Sequence, residues 1–134
     1  MNKVKLIRIA SAIIIGLTAF AVLMVSAQAF VSPQSVMDLV GVKLTNTDAF
    51  SSIRGVYGGI GLLIFIQLVY LLFKDQKQGL IVVALFGGLY ALSRTITIFA
   101  EGSLGAFGTQ WLITEAVLCV LSLFLLVIRK SDAV

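Results

Sequence analysis

Histidine is absent from this chain of 134 residues, cysteine and proline each occur once, and only 12% of the residues are charged. Each shortage excludes something. Without histidine the chain lacks the commonest general base and metal ligand. A single cysteine, Cys119, cannot form an internal disulfide. Soluble domains carry about 25% charged residues. With 60% hydrophobic residues and a mean hydropathy of +1.11, this chain would aggregate unless lipid covered it. The net charge of +4 is modest. Its basic residues flank apolar segments, so they set membrane topology and do not point to nucleic acid.

What the chain has is apolar length. Four segments, Ile9 to Val31, Ile53 to Phe73, Gly79 to Ala100 and Gly108 to Ile128, stand out. Each is about 20 residues or longer, enough to cross a core of roughly 30 Å at about 1.5 Å per residue. Unbroken runs, not alternating ones, predict helices, which satisfy their own backbone in lipid. The expected fold is all-α: a single domain over residues 1–134, a membrane bundle of four transmembrane helices. Lys3 to Ala29 also has the outline of a signal peptide, ending in Ala27-Gln28-Ala29. Its apolar core is long for that role, so it is expected to be retained as the first membrane helix.

Flanking charge predicts orientation. Lys3, Lys5 and Arg8 precede the first segment, Lys74 and Lys77 lie in the second connection, and Arg129 and Lys130 follow the fourth segment. The first and third connections hold only Lys43 as a basic residue. Both termini are therefore expected in the cytoplasm. The first connection is the long one. Ser32-Pro33 reads as an N-cap with proline at the first helical position, and Val36, Leu39 and Val40 give a short apolar face. That predicts a short extracytoplasmic interfacial helix between helices 1 and 2. Asn46, Thr47 and Asp48 are capping candidates for helix 2, and Asp38 and Asp132 read as solvated or capping.

Three charges interrupt the apolar segments: Arg54, Arg94 and Glu115. A charge in lipid is expensive, so these mark a candidate site. Arg54 opens the second segment, Arg94 lies about 9 Å inside the outer end of the third, and Glu115 about 10 Å inside the fourth. Glu115 is expected to pair with Arg94, Arg54 or both, with Glu101 as a second counter-charge. Helical spacing groups Arg54, Tyr57, Gly58 and Gly61; Tyr90, Arg94 and Thr97; and Trp111, Glu115, Cys119 and Ser122. Facing one another, these stripes would form a ligand-binding site of Arg54, Tyr57, Tyr90, Arg94, Trp111 and Glu115 for a small molecule or lipid, with transport as an extension. An ion pair that only fixes helix register is the competing reading. Gly55 and Gly59 form a GxxxG pair and Gly58 and Gly61 a second small stripe, serving helix packing within the bundle or a homodimer. Gly87-Gly88 can serve the third helix likewise, and Cys119 reads as a small packing residue. No cofactor, metal or catalytic residue is expected, and an enzymatic role is the least supported.

The run Ile53-Arg54-Gly55-Val56-Tyr57-Gly58-Gly59, then Ala91-Leu92-Ser93-Arg94, then Glu101-Gly102, then Trp111 and Glu115, resembles a family of small bacterial four-helix membrane proteins known only as a domain of unknown function. The resemblance covers about Pro33 to Leu126. It implies a bacterial inner-membrane protein whose family signature falls on these polar positions. It implies no activity, cofactor or partner. Three functional classes remain from the residues themselves: a small-molecule or lipid site, an accessory or assembly subunit of a larger membrane complex, and, least supported, an enzyme.

Overall fold

A computed structural model describes residues 2–131 of the chain; Asp132 falls outside the described residues. The chain is all-α. Helix α1 spans Lys3–Val31, α2 Pro33–Asp38, α3 Thr47–Lys74, α4 Gln76–Glu101 and α5 Ala106–Ser131. The four long helices are each long and apolar enough to cross a membrane.

Each long helix extends beyond its apolar run, because hydropathy ends where lipid ends while a helix ends where its backbone is capped. The Asn2 carboxamide oxygen accepts from the Val4 N–H at 3.3 Å and starts α1 at Lys3 instead of Ile9. The Asn46 carboxamide accepts from Ala49 N–H at 2.8 Å and starts α3 at Thr47. Asp48 in that first turn complements the helix dipole. Asp75 alone separates α3 from α4; its Oδ1 accepts from the N–H groups of Lys77 and Gln78. The α4–α5 connection starts at Gly102, whose φ of +107° suits glycine.

Within α3, Arg54–Ile60 winds as a π-helix. Three of its seven residues are glycine, which lowers the cost of leaving α geometry.

The connection between α1 and α3 is ordered by its own polar groups. Ser32 does not cap α2 through its side chain, contrary to expectation. Its carbonyl instead accepts from the N–H and hydroxyl of Ser35. The buried residues of α2 are Pro33, Val36 and Met37, the last two clustered with Ala29 and packed by Leu44, Ile53 and Tyr57. Leu39 and Val40, read with Val36 as the apolar face of this segment, follow the end of α2 at Asp38 and are exposed. Val42 N–H bonds the Met37 carbonyl and Gly41 N–H the Asp38 carbonyl, the paired bonds of a Schellman ending with Gly41 at φ +70°. Gln34 ties the loop down, donating to Asp38 and the Val42 carbonyl and accepting from Leu44 N–H. Gly41→Ala is expected to destabilise this segment by about 1–2 kcal/mol, because an L-residue pays sterically for left-handed backbone. Faster amide exchange at Val42 and Leu44, with α4 and α5 unaffected, is the measurement that checks it.

The chain forms two compact units, one of the chain up to Ile15 with everything from Leu71 on, the other of Gly16–Tyr70. In the first, Ile7, Ser11 and Ile15 of α1 are buried, as are Leu80 and Val83 of α4 and Ser122 and Leu125 of α5. Ile15 closes on Gly79, where a Cβ would stand 2.7 Å from its Cδ1. Arg129 reaches Ser11 Oγ at 3.4 Å. In the second, Thr18, Val22, Ser26 and Ala29 continue the buried side of α1.

Candidate functional site

The α4–α5 hairpin carries an ion pair between Arg94 and Glu115. Arg94 Nε donates to Glu115 Oε2 at 2.7 Å and Arg94 Nη2 to Glu115 Oε1 at 3.0 Å. Both carboxylate oxygens thus meet one planar guanidinium edge, the strongest geometry for this pair. The Glu115 side chain is 8% exposed and that of Arg94 22%.

Helix direction explains the fit. Every side chain on a helix leans toward that helix's N-terminus. In an antiparallel hairpin the two sets lean toward each other. Arg94 precedes the end of α4 by seven residues, about 10 Å, and Glu115 follows the start of α5 by nine, about 14 Å. Glu115 therefore lies deeper, leaning toward the connection, and Arg94 lies shallower, leaning away from it. The carboxylate and the guanidinium meet between.

The backbones come close at the same place. A Cβ on Gly87 would stand 2.6 Å from the Glu115 carbonyl oxygen and 3.4 Å from Cys119 N. Only hydrogen fits there, and the α-hydrogens of Gly87 can point weakly at that carbonyl. Gly87 and Arg94 are seven residues apart on one face of α4. Glu115 thus engages that face twice, by backbone at Gly87 and by side chain at Arg94. Cys119 packs by its thiol, with Sγ 3.2 Å from where a Gly88 Cβ would be.

Arg54 belongs to the other unit, where it serves α1. Its Nε donates to the Phe30 carbonyl at 3.2 Å. Phe30 is in the last turn of α1, where carbonyls lack helical partners and the dipole is negative, so a cation fits there. Ser26 Oγ donates to the Gly58 carbonyl at 2.7 Å. Gly58 lies under the Phe30 ring and Gly61 against Ser26, where added Cβ atoms would stand 3.1 Å away. The π-helical turns are thus fastened to α1 at Arg54 and Gly58, and the helix beyond them at Gly61. Gly55 and Gly59 behave differently: a Cβ on either meets nothing within 4 Å.

The aromatic residues find local partners. Tyr57 packs on the Ala29, Val36 and Met37 cluster. Tyr90 stacks obliquely on Phe86 with centroids 5.0 Å apart, and Trp111 on Phe107 at 6.2 Å. Each of these two pairs lies one turn apart on a single helix. Glu101 ends α4 in an exposed position. Of the predicted ligand set, the structure joins Arg94 to Glu115, and it places Arg54 and Tyr57 in the unit of α1, α2 and α3. Among the described residues, no group of three His, Cys, Asp or Glu side chains could hold a metal ion.

Sequence reading missed the buried polar residues of α1. Ser11, Thr18 and Ser26 are all nearly inaccessible. Their spacing of seven and eight residues in an otherwise apolar run was the available signal, because it keeps them on one side of the helix.

The chain belongs to the family described as Domain of unknown function (DUF4345), whose model matches residues 10–126. That match takes in most of α1 as well as the stretch from Pro33 to Leu126. No curated protein and no solved structure matches the chain.

Proposed function

We propose that this protein is an accessory or assembly subunit, acting in a larger membrane complex or as a homodimer, with the Arg94–Glu115 pair as internal bracing. The observation that carries this reading is the division among the α3 glycines. Gly58 and Gly61 are filled by Phe30 and Ser26, while Gly55 and Gly59, one turn apart, face open space. Val56 and Ile60 beside them are 60% and 54% exposed. Two glycines at this spacing let a second helix approach closely, which is how helices associate where lipid removes the hydrophobic drive. The bidentate closure of Glu115 on Arg94 supports the same reading, since it commits both carboxylate oxygens inside the chain.

The reading has a setting. The basic flanks at Lys3, Lys5 and Arg8, at Lys74 and Lys77, and at Arg129 suit a bacterial inner membrane with both termini cytoplasmic. The α2 segment then lies on the outer face. No catalytic step belongs to this role. A small-molecule or lipid ligand at Arg94 and Glu115 is the second reading. It draws on the 22% exposure of the Arg94 side chain and on half-exposed Tyr90 one turn away.

The test replaces Gly55 and Gly59 with Ile. Cross-linking in native membranes through Val56→Cys, in a Cys119→Ala background, is expected to capture a partner or second copy. The Gly55→Ile/Gly59→Ile chain should lose that product while keeping its own thermal stability. Unchanged cross-linking would remove the α3 face from the account.

A further inference from the structure

α4 and α5 leave an open groove of about 320 Å³ along their hairpin. Ile81, Leu85 and Gly88 line it from α4, and Cys119, Leu123 and Leu126 from α5. Apart from the Cys119 thiol the lining is apolar, and Leu85 and Leu123 are at least half exposed. The small residues Gly88 and Cys119 leave the space that the leucines border.

The groove has a length and a polarity. From Ile81 to Leu89 it runs eight residues, about 12 Å. It ends near the middle of α4, which spans Gln76–Glu101. Half of a hydrocarbon core is about 15 Å. The groove therefore fits one leaflet. A transmembrane helix would need contact over the whole core of roughly 30 Å, which the groove does not offer. At the end away from the α4–α5 connection, charge takes over. Lys77 is exposed, one turn before Ile81 on the same face. Lys74 and Arg129 stand at that same end. The acid beside them, Asp75, has its Oδ1 engaged by the N–H groups of Lys77 and Gln78.

We propose that this groove holds one acyl chain of an anionic phospholipid, with the lipid phosphate at Lys77. An acyl chain matches the apolar lining and the one-leaflet length. The negative headgroup matches the cations at the mouth. The headgroup end, at Lys77, lies away from the Arg94–Glu115 pair, while the inner end of the groove, at Leu89 and Cys119, stops about one turn short of it; the proposal does not depend on the role proposed above.

Native mass spectrometry of the full chain in detergent tests this, with phosphatidylglycerol and phosphatidylcholine of identical chains added in competition. One bound phosphatidylglycerol should be favoured by roughly fivefold or more, the effect of one cation near the headgroup. Lys77→Glu should bring the two lipids to parity or reverse them. A dodecyl chain attached to Cys119 through dodecyl methanethiosulfonate should remove the bound lipid, and a reductant should restore it. This keeps the wild-type sequence, so folding is not in question. Gly88→Leu should do the same permanently, with Trp111 fluorescence reporting that the chain is folded. Equal retention of both lipids by the wild type would overturn the proposal. So would a bound lipid that survives the dodecyl block, or a second protein copy in place of lipid.

Discussion

Glu115→Gln is expected to lower stability by about 3 kcal/mol, near the bottom of the range for breaking a buried pair from one side. The amide keeps the shape and one acceptor but leaves the Arg94 guanidinium without its counter-charge. Arg94→Ala should cost as much or more, since it strands a carboxylate only 8% exposed. The informative variant removes both. Arg94→Met with Glu115→Leu replaces two desolvated charges by apolar groups of similar size. Such replacements are often neutral or stabilising, because the pair's own attraction only offsets its desolvation. Thermal unfolding in detergent should therefore place the double variant within about 1 kcal/mol of wild type, or above it. Bracing predicts a stable double variant that keeps its cross-linked partner. A ligand held by these charges predicts a stable double variant that loses a co-purifying small molecule. A double variant as unstable as Glu115→Gln would mean that the charges are coupled to something beyond each other.

The pair itself was legible in the sequence because a charge in an apolar run has few ways to be satisfied. Arg94 and Glu115 lie on consecutive helices joined by a short glycine-rich connection, so antiparallel neighbours could be assumed and depth did the rest. Arg54 shows where that logic stops. It has the same charge and a similar depth, yet its described bond goes to the Phe30 carbonyl. Backbone acceptors carry no mark in the sequence, so the charge pattern points Arg54 to a side-chain partner, whereas the end of α1 supplies the acceptor. Tyr90 and Trp111 lie on the same helical faces as the charges and also stack on Phe86 and Phe107, one turn away on their own helices. Helix ends were displaced wherever a polar cap, such as Asn46 or Asp75, stood outside the apolar run. Leu39 and Val40 extend the apolar face of α2 in the sequence, whereas the helix ends at Asp38 and the chain turns at Gly41. The π-helical turns in α3 had only their glycine content to announce them.

Gly87 and Gly16 make the sharpest test of the hairpin, because one substitution should have opposite signs at the two positions. Both are interior helical glycines, and alanine there gains about 0.4–1 kcal/mol by restricting the unfolded chain, if space allows. At Gly16 a Cβ meets nothing within 4 Å, so Gly16→Ala should raise stability by about that amount. At Gly87 the Cβ would stand 2.6 Å from the Glu115 carbonyl oxygen. That neighbour is backbone, so no rotamer change relieves the contact and the helices must separate. Overpacking of this kind costs about 1–3 kcal/mol. Separation also pulls the Glu115 carboxylate away from Arg94, so part of the pair is lost with it. Gly87→Ala should therefore destabilise by more than the overpacking alone, and Gly87→Leu should prevent the hairpin from closing. The coupling can be measured. In the Arg94→Met/Glu115→Leu background, Gly87→Ala should cost less than in wild type, because no pair is left to disrupt. An equal cost in both backgrounds would show that the backbone contact and the ion pair hold the hairpin independently.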